Sequence, residues 1–270
     1  MEYRRINGEY APLAMTSASA LRIQIEHALE HRFPAALTPV PRTFRETATT
    51  GIAAVDALLD GGFPVGAISE IAGPQSSGRT SVVLSFLAHR TQESLVAAWV
   101  DAGDAFDPES AAANGVCLRQ LLWVRCRSTD GPEKSKPWTR LDQAIRATDL
   151  LLQDGGFAAI VLDLGDTAPE QASRIPLATW FRFRQAADRA RCCLVVLGED
   201  SYAQSSAALV LECLPLRAKT AGKTVLDGFC YEVRRERQRF SPGSHSVTGA
   251  RKPPASTWSA VSSWTEQERA

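Results

Sequence analysis

Residues 73–80 read Gly-Pro-Gln-Ser-Ser-Gly-Arg-Thr. The run fits the phosphate-binding loop pattern Gly-x-x-x-x-Gly-Lys-Ser/Thr at every required position except the lysine, where the chain has Arg79. The pattern has a mechanical basis. Glycines let backbone N–H groups curl around phosphate oxygens, the lysine reaches the outer phosphates, and the Ser/Thr hydroxyl ligates Mg²⁺. Gly73, Gly78 and Thr80 retain those capacities. A Gly/Ser-rich surface turn is the bland alternative, and the flanks argue against it. Residues 67–72 read as a short buried strand and 79–93 as a helix, so a helix N-terminus meets the loop.

Working outward, apolar runs of strand length recur at 95–100, 121–124, 158–162, 193–197 and 207–211, and helical spacing at 81–93, 140–152 and 177–191. Near-continuous apolar strands separated by helices indicate an α/β core with a mainly parallel sheet flanked by helices on both faces. Its ligand belongs beyond the carboxyl ends of the strands, where the loop lies. The run Phe157-Ala-Ala-Ile-Val-Leu-Asp163 is a hydrophobic strand ending in a carboxylate, the form that holds Mg²⁺ beside a phosphate loop.

Composition narrows the class. The 270 residues are 44% hydrophobic, and 30 Lys+Arg balance 30 Asp+Glu, so no global basicity advertises nucleic acid. The six cysteines, at 117, 126, 192, 193, 213 and 230, show no Cys-x-x-Cys spacing, and several lie in apolar runs where they act as small hydrophobes. Reduced thiols and a cytoplasmic location follow. Neither a membrane span nor a signal-like start is expected, since residues 1–10 are polar.

The two ends read differently from residues 51–240. Leu21, Ile25, Ala28, Leu29 and Phe33 sit at helical spacing over 17–33, and the Pro/Thr-rich stretch 34–50 reads as a linker. From 241 to 270 the composition turns to Ser, Pro, Gly and Thr, the signature of a flexible, disordered C-terminal tail. Trp258 and Trp264 are out of place there, and as aromatics in a tail they are candidate anchors for a partner protein.

From Thr50 to Phe240 the chain resembles the RecA family of recombinases. The resemblance rests on Thr50-Gly51-Ile52, Asp56-Ala57-Leu58-Leu59, Gly61-Gly62-Phe63-Pro64-Val65-Gly66, the 73–80 loop, Asp101-Ala102, Asp107-Pro108 and the strand ending at Asp163. It implies a RecA-type P-loop NTPase core. It also implies weak binding of ATP with Mg²⁺ at Gly73, Pro74, Gln75, Ser76, Ser77, Gly78, Arg79 and Thr80, with Asp107 at the adenine and Thr80 and Asp163 on the metal.

The departures from that family bear on activity. Where the family has a water-positioning glutamate in an Asp-Ala-Glu context, this chain has Asp101-Ala102-Gly103, and only the adjacent Asp104 offers a carboxylate. Arg79 keeps the charge of the missing lysine, but its longer planar fork is not a conservative replacement among phosphates. Together these changes lead to the expectation of little or no hydrolysis, with no catalytic residues and no enzymatic role. The gap 164–175, where the family has its first DNA-binding loop, is short, 193–199 is followed almost at once by 201–211 with no room for a second loop of family size, and Glu199 stands near the family's nucleotide-sensing glutamine.

Arg235, Arg237 and Arg239 share one face if 231–240 is a strand. By the resemblance, Arg235 and Arg237 reach a neighbouring subunit's nucleotide; the alternative is a solvated, charged edge strand. The cluster Trp180-Phe181-Arg182-Phe183-Arg184 reads more simply as a helix burying Trp180, Phe181 and Phe183 than as a nucleic-acid patch. A RecA core with these departures looks like the RecA-like ImuA family of accessory proteins in damage-induced mutagenesis. That resemblance implies an ImuB-like Y-family polymerase homologue and an error-prone replicative-type polymerase as partners. RecA contact and self-association are further implied possibilities, with DNA contact weak or indirect. An active DNA-dependent ATPase using Arg79 and Asp104, or a regulator of RecA filaments, is the alternative.

Overall fold

The computed structural model describes residues 3–6, 9–12, 43–127, 139–221, 225–242 and 255–261. It comprises two compact units, 1–42 and 43–270. In the first, β1 (Tyr3–Ile6) and β2 (Glu9–Pro12) form an antiparallel pair with Tyr3 opposite Pro12. The helix expected over 17–33 lies outside the described residues, as does Trp264.

The second unit begins with β3 (Thr43–Arg45), β4 (Thr47–Ala48), α1 (Ala53–Leu58), β5 (Phe63–Pro64), β6 (Ala67–Ala72), α2 (Arg79–Gln92) and β7 (Ala97–Asp101). It continues through α3 (Pro108–Ala113), β8 (Leu121–Arg125), α4 (Arg140–Asp154), β9 (Ala159–Asp163), α5 (Pro169–Ala172), α6 (Leu177–Ala190) and β10 (Cys193–Gly198). The last elements are β11 (Ala207–Ala221), β12 (Val225–Gln238), β13 (Phe240–Pro242) and β14 (Ala255–Val261). Part of the expected linker is therefore structured: β4 pairs antiparallel with β5, and β3 pairs parallel with β13. Burial of Ala48 and Thr50 explains why this polar-looking stretch is held down.

Eight strands form one sheet in the order β14-β12-β11-β6-β10-β9-β7-β8. From β11 to β8 every neighbouring pair is parallel, whereas β12 and β14 close the β11 edge antiparallel. The α/β core with a mainly parallel sheet is thus as expected, and its central strands β6, β10, β9 and β7 are mainly apolar because both faces are covered, with Ser69 and Glu70 as buried exceptions in β6. Val195 belongs to one buried cluster with Val83, Phe86 and Leu87 of α2, while its neighbours Leu194 and Val196 belong to a second with Trp180 and Phe183 of α6. Burying side chains of this size contributes about 2–3 kcal/mol each. A capping box starts α4, with Thr139 accepting from the Asp142 N–H and Asp142 accepting from the Thr139 N–H. Among the described residues no helix is long and apolar enough to cross a membrane.

Three expectations are corrected here. Residues 255–261 are not a loose tail: β14 pairs along β12 with Trp258 opposite Tyr231, and the two ring centroids lie 4.9 Å apart. Trp258 packs against the chain's own core, which offers the apolar surface that a partner was expected to supply. Nor do Arg235 and Arg237 share a face. A β-bulge sets Val210 opposite Arg237 but Leu211 opposite Arg235, leaving Glu236 as the extra residue. The inserted residue reverses the alternation. Arg235 therefore donates to the Leu58 carbonyl and pairs with Asp60 on one side, while Arg237 approaches the buried Glu70 on the other. In α6, Trp180 and Phe183 are buried as expected, but Phe181 is 48% exposed, with the Arg184 guanidinium over its ring.

Candidate functional site

The carboxyl ends of β6, β10, β9 and β7 lie abreast, with Ala72 opposite Gly198, Leu197 opposite Asp163, and Asp163 opposite Asp101. The 73–80 loop leaves β6 at this level and enters α2. Its backbone needs the residues it has. Gly78, at φ 83°, forms the N-cap of α2 in the left-handed region, and Tyr231 lies where a β-carbon there would project. The N–H of Gly73 donates to the carbonyls of Gly198 (3.2 Å) and Glu199 (3.0 Å), tying the loop to the end of β10. Pro74, Gln75, Ser76 and Thr80 are exposed, whereas Ser77 is buried and its hydroxyl has no hydrogen-bond partner among the described residues. An unpaired buried hydroxyl inside a loop of this shape fits a site built for phosphate oxygens.

Arg79 is the residue that organises the floor of the site. It is 8% exposed, and its guanidinium donates to the carbonyls of Gly73, Gly198 (3.1 Å) and Gly165 (3.2 Å). One planar fork thus joins the ends of three strands, geometry that a compact ammonium lacks. Asp163 lies beside it and accepts from the Gly165 N–H at 2.9 Å. Burial pushes the Asp163 carboxyl up to about 6 against the opposing pull of that N–H, with Asp101 pushing the same way and Arg79 opposing.

Asp101 closes the loop after β7, accepting from the N–H groups of Ala105 (3.1 Å) and Phe106 (2.9 Å) and from the Trp123 indole (3.2 Å). Asp104, the carboxylate weighed as a substitute for the absent glutamate, is held bidentately by Arg125 at 2.6 and 3.0 Å. That pairing holds its carboxyl below the usual range. It does not turn into the strand-end site. Asp107 caps α3, accepting from the N–H groups of Glu109 and Ser110. This is a structural use of the residue read as an adenine contact.

Sequence reasoning missed Glu70, whose signal was a lone carboxylate inside the apolar run 67–72. Its Oε1 accepts from the N–H groups of Tyr202 (2.5 Å) and Ala203 (2.7 Å), fixing the β10–β11 connection that carries Glu199. Its Oε2 has no hydrogen bond, and the nearest cation, Arg237, stands 3.9 Å away. Burial raises the Glu70 carboxyl above its ordinary value more than its two N–H partners and Arg237 lower it. The folded state therefore binds more protons than the unfolded chain between the ordinary and the raised value, and stability is lost as pH rises through that window. The unfolding midpoint in urea should fall for the wild type relative to Glu70→Gln as pH rises from about 4. Parallel curves would remove Glu70 as the cause.

The described cysteines carry no site chemistry: all are free, and burial pushes the thiols of Cys193 and Cys213 up to about 12 and that of Cys126 up to about 11. Among the described residues no group of three or more His, Cys, Asp or Glu forms a metal cage. A metal here would depend on Thr80, Asp163 and the phosphates themselves.

A family model of the RecA N-terminal domain matches residues 18–169. Protein RecA of Allorhizobium ampelinum is 31% identical over 169 residues, covering 57% of this chain and 43% of that protein. Protein RecA of a Nostoc species is 37% identical over 118 residues, covering 44% of this chain and 30% of that protein. The chain therefore spans less than half the length of these curated relatives. Among solved structures, the RadB recombinase shares the fold at a TM-score of 0.50 and 19% identity, covering 73% of this chain and 92% of that one. These matches overturn the expectation that the chain is not an enzyme, because they point to a family of ATPases. That expectation equated two altered residues with loss of the whole site.

Proposed function

Because the chain belongs to the family of the RecA N-terminal domain, we propose that it is a RecA-type ATPase module working in the cytoplasm as an accessory factor in DNA-damage tolerance. In this reading it supports error-prone translesion synthesis in the manner of the ImuA group. The observation that carries the nucleotide half is the floor of the site. Arg79 and Asp163 stand side by side at the strand ends, beneath a glycine-bounded loop with an exposed Thr80 and an unpaired Ser77 hydroxyl. Thr80 and Asp163 are the residues to hold Mg²⁺, which supplies charge neutralisation on the phosphates. Loop N–H groups bind and orient the phosphates, and Arg79 adds positive charge from below.

The accessory half draws support from what surrounds the site. Arg235 and Arg237 are engaged within their own chain by Leu58, Asp60, Gln204 and Glu70. The connections after β9 and β10 are short and held in place by α5 and by the Glu70 tether. Such a module suits protein partners, an ImuB-like Y-family polymerase homologue and an error-prone replicative-type polymerase, better than a long grip on single-stranded DNA.

The test is calorimetric titration with ATP and Mg²⁺, together with phosphate release measured with and without single-stranded DNA and with and without the ImuB-like partner. Binding with turnover that responds to the partner and not to DNA is the expected result. Turnover driven by DNA alone would favour a recombinase-type ATPase instead. Partner capture by a chain truncated after Val261 would separate the role of Trp264 from that of Trp258, which belongs to the sheet.

A further inference from the structure

The turn that follows β9 brings a second carboxylate to the same place. The Thr167 N–H donates to the Leu164 carbonyl at 2.9 Å, and the Leu164 N–H donates to Leu197 of β10 at 2.9 Å, so residues 164–167 form a tight turn pinned to the sheet. Asp166 projects from its tip and is exposed. A β-carbon built on Gly103 would lie 2.8 Å from the Asp166 Cβ and 3.0 Å from its Oδ2. The side-chain space that glycine leaves empty at the end of β7 is thus filled by Asp166. Gly165, the residue before it, gives its carbonyl to Arg79 and its N–H to Asp163, which ties the turn bearing Asp166 to the floor of the phosphate site. Among the described residues no group hydrogen-bonds that carboxylate, whereas Asp101 and Asp104 are both fully engaged. The negative charge of Asp166 also bears on Asp163, a sign of their closeness.

From this geometry we infer that Asp166 is the catalytic carboxylate that receives and orients the attacking water in nucleotide hydrolysis, in the space opened by Gly103. The inference rests on the ATPase reading above. The water oxygen forms a bond to the γ-phosphorus, and the bond from that phosphorus to the β,γ-bridging oxygen breaks, its electron pair leaving on ADP. One water proton passes to the Asp166 carboxylate and from there to the released phosphate.

The experiment compares wild type, Asp166→Asn, Gly103→Ala and the double variant in the full chain, reading ATP affinity by calorimetry and phosphate release under single turnover. Gly103 is not in the left-handed region, so the alanine β-carbon acts by collision with Asp166, whose Cβ it would meet at 2.8 Å, moving that residue and its turn. Asp166→Asn should slow release by about 10²-fold with ATP affinity unchanged, and Gly103→Ala should slow it less. The double variant should be no slower than Asp166→Asn, because both changes remove one carboxylate from one place. Equal release by wild type and Asp166→Asn, or a fall that merely follows lost ATP affinity, overturns the assignment and leaves the ATPase reading standing. A folded wild type that releases no phosphate with DNA or partner present overturns both.

Discussion

Replacing Arg79 with alanine is expected to lower the unfolding free energy by about 3–5 kcal/mol, the largest effect of any single charge removal in this site. The guanidinium is buried and serves three backbone carbonyls, those of Gly73, Gly165 and Gly198. Hydrogen bonds to a charged donor are worth roughly 1.5–3 kcal/mol each but are not additive in a shared network, and water entering the vacated space recovers part of the loss. Arg79→Lys should cost less, about 1–2 kcal/mol, because one carbonyl can keep a cationic donor. The same substitution should tighten ATP binding, since a compact ammonium is free to turn toward phosphate. Urea unfolding of the three proteins, with calorimetry for ATP, tests both statements. An Arg79→Ala protein as stable as wild type would show that the guanidinium is dispensable to the strand ends.

Gly73→Ala should be nearly as damaging, at about 3 kcal/mol or more, with loss of ATP binding. Gly73 has φ 155°, and a β-carbon there would be driven into the Cys213 carbonyl of β11 and within 2.8 Å of Ser77 Oγ. The first obstacle is backbone in a central strand pairing, so it does not move aside cheaply. Relief requires opening the β6–β11 edge or moving the loop off Gly198, and either change spoils the phosphate site. Gly155→Ala is the control. Its φ of 77° and ψ of −164° lie in a region that glycine alone adopts readily, yet nothing lies within 4 Å of the added carbon, so only the intrinsic conformational cost of about 1–3 kcal/mol remains. Thermal unfolding should separate the two glycines clearly; equal losses would mean that backbone strain, not collision, sets the cost at Gly73.

Both predictions concern a loop whose cationic residue is engaged by the protein's own carbonyls. In the same site the space beside Gly103 of the β7 end is filled by a side chain from the turn after β9. Judged residue by residue, Gly103 and Arg79 looked like deletions of function. In three dimensions the space at Gly103 is occupied by Asp166, and Arg79 and Asp163 both bond to Gly165, the carbonyl serving Arg79 and the N–H serving Asp163.

The sequence by itself determined the α/β core, because strands buried on both faces must be apolar along their length and the helices covering them must show their spacing. It also determined the position of the phosphate loop and of Asp163, since both belong to strand ends marked by local composition. Tertiary structure alone decided where the Arg79 fork ends, because its carbonyl partners lie 6, 86 and 119 residues away along the chain. It alone decided that one inserted residue sends Arg235 and Arg237 to opposite faces, and that residues 255–261 complete a sheet edge. Local pattern records what a segment needs to bury, while the identity of what meets it is set by strand order and register, which bring distant residues into contact.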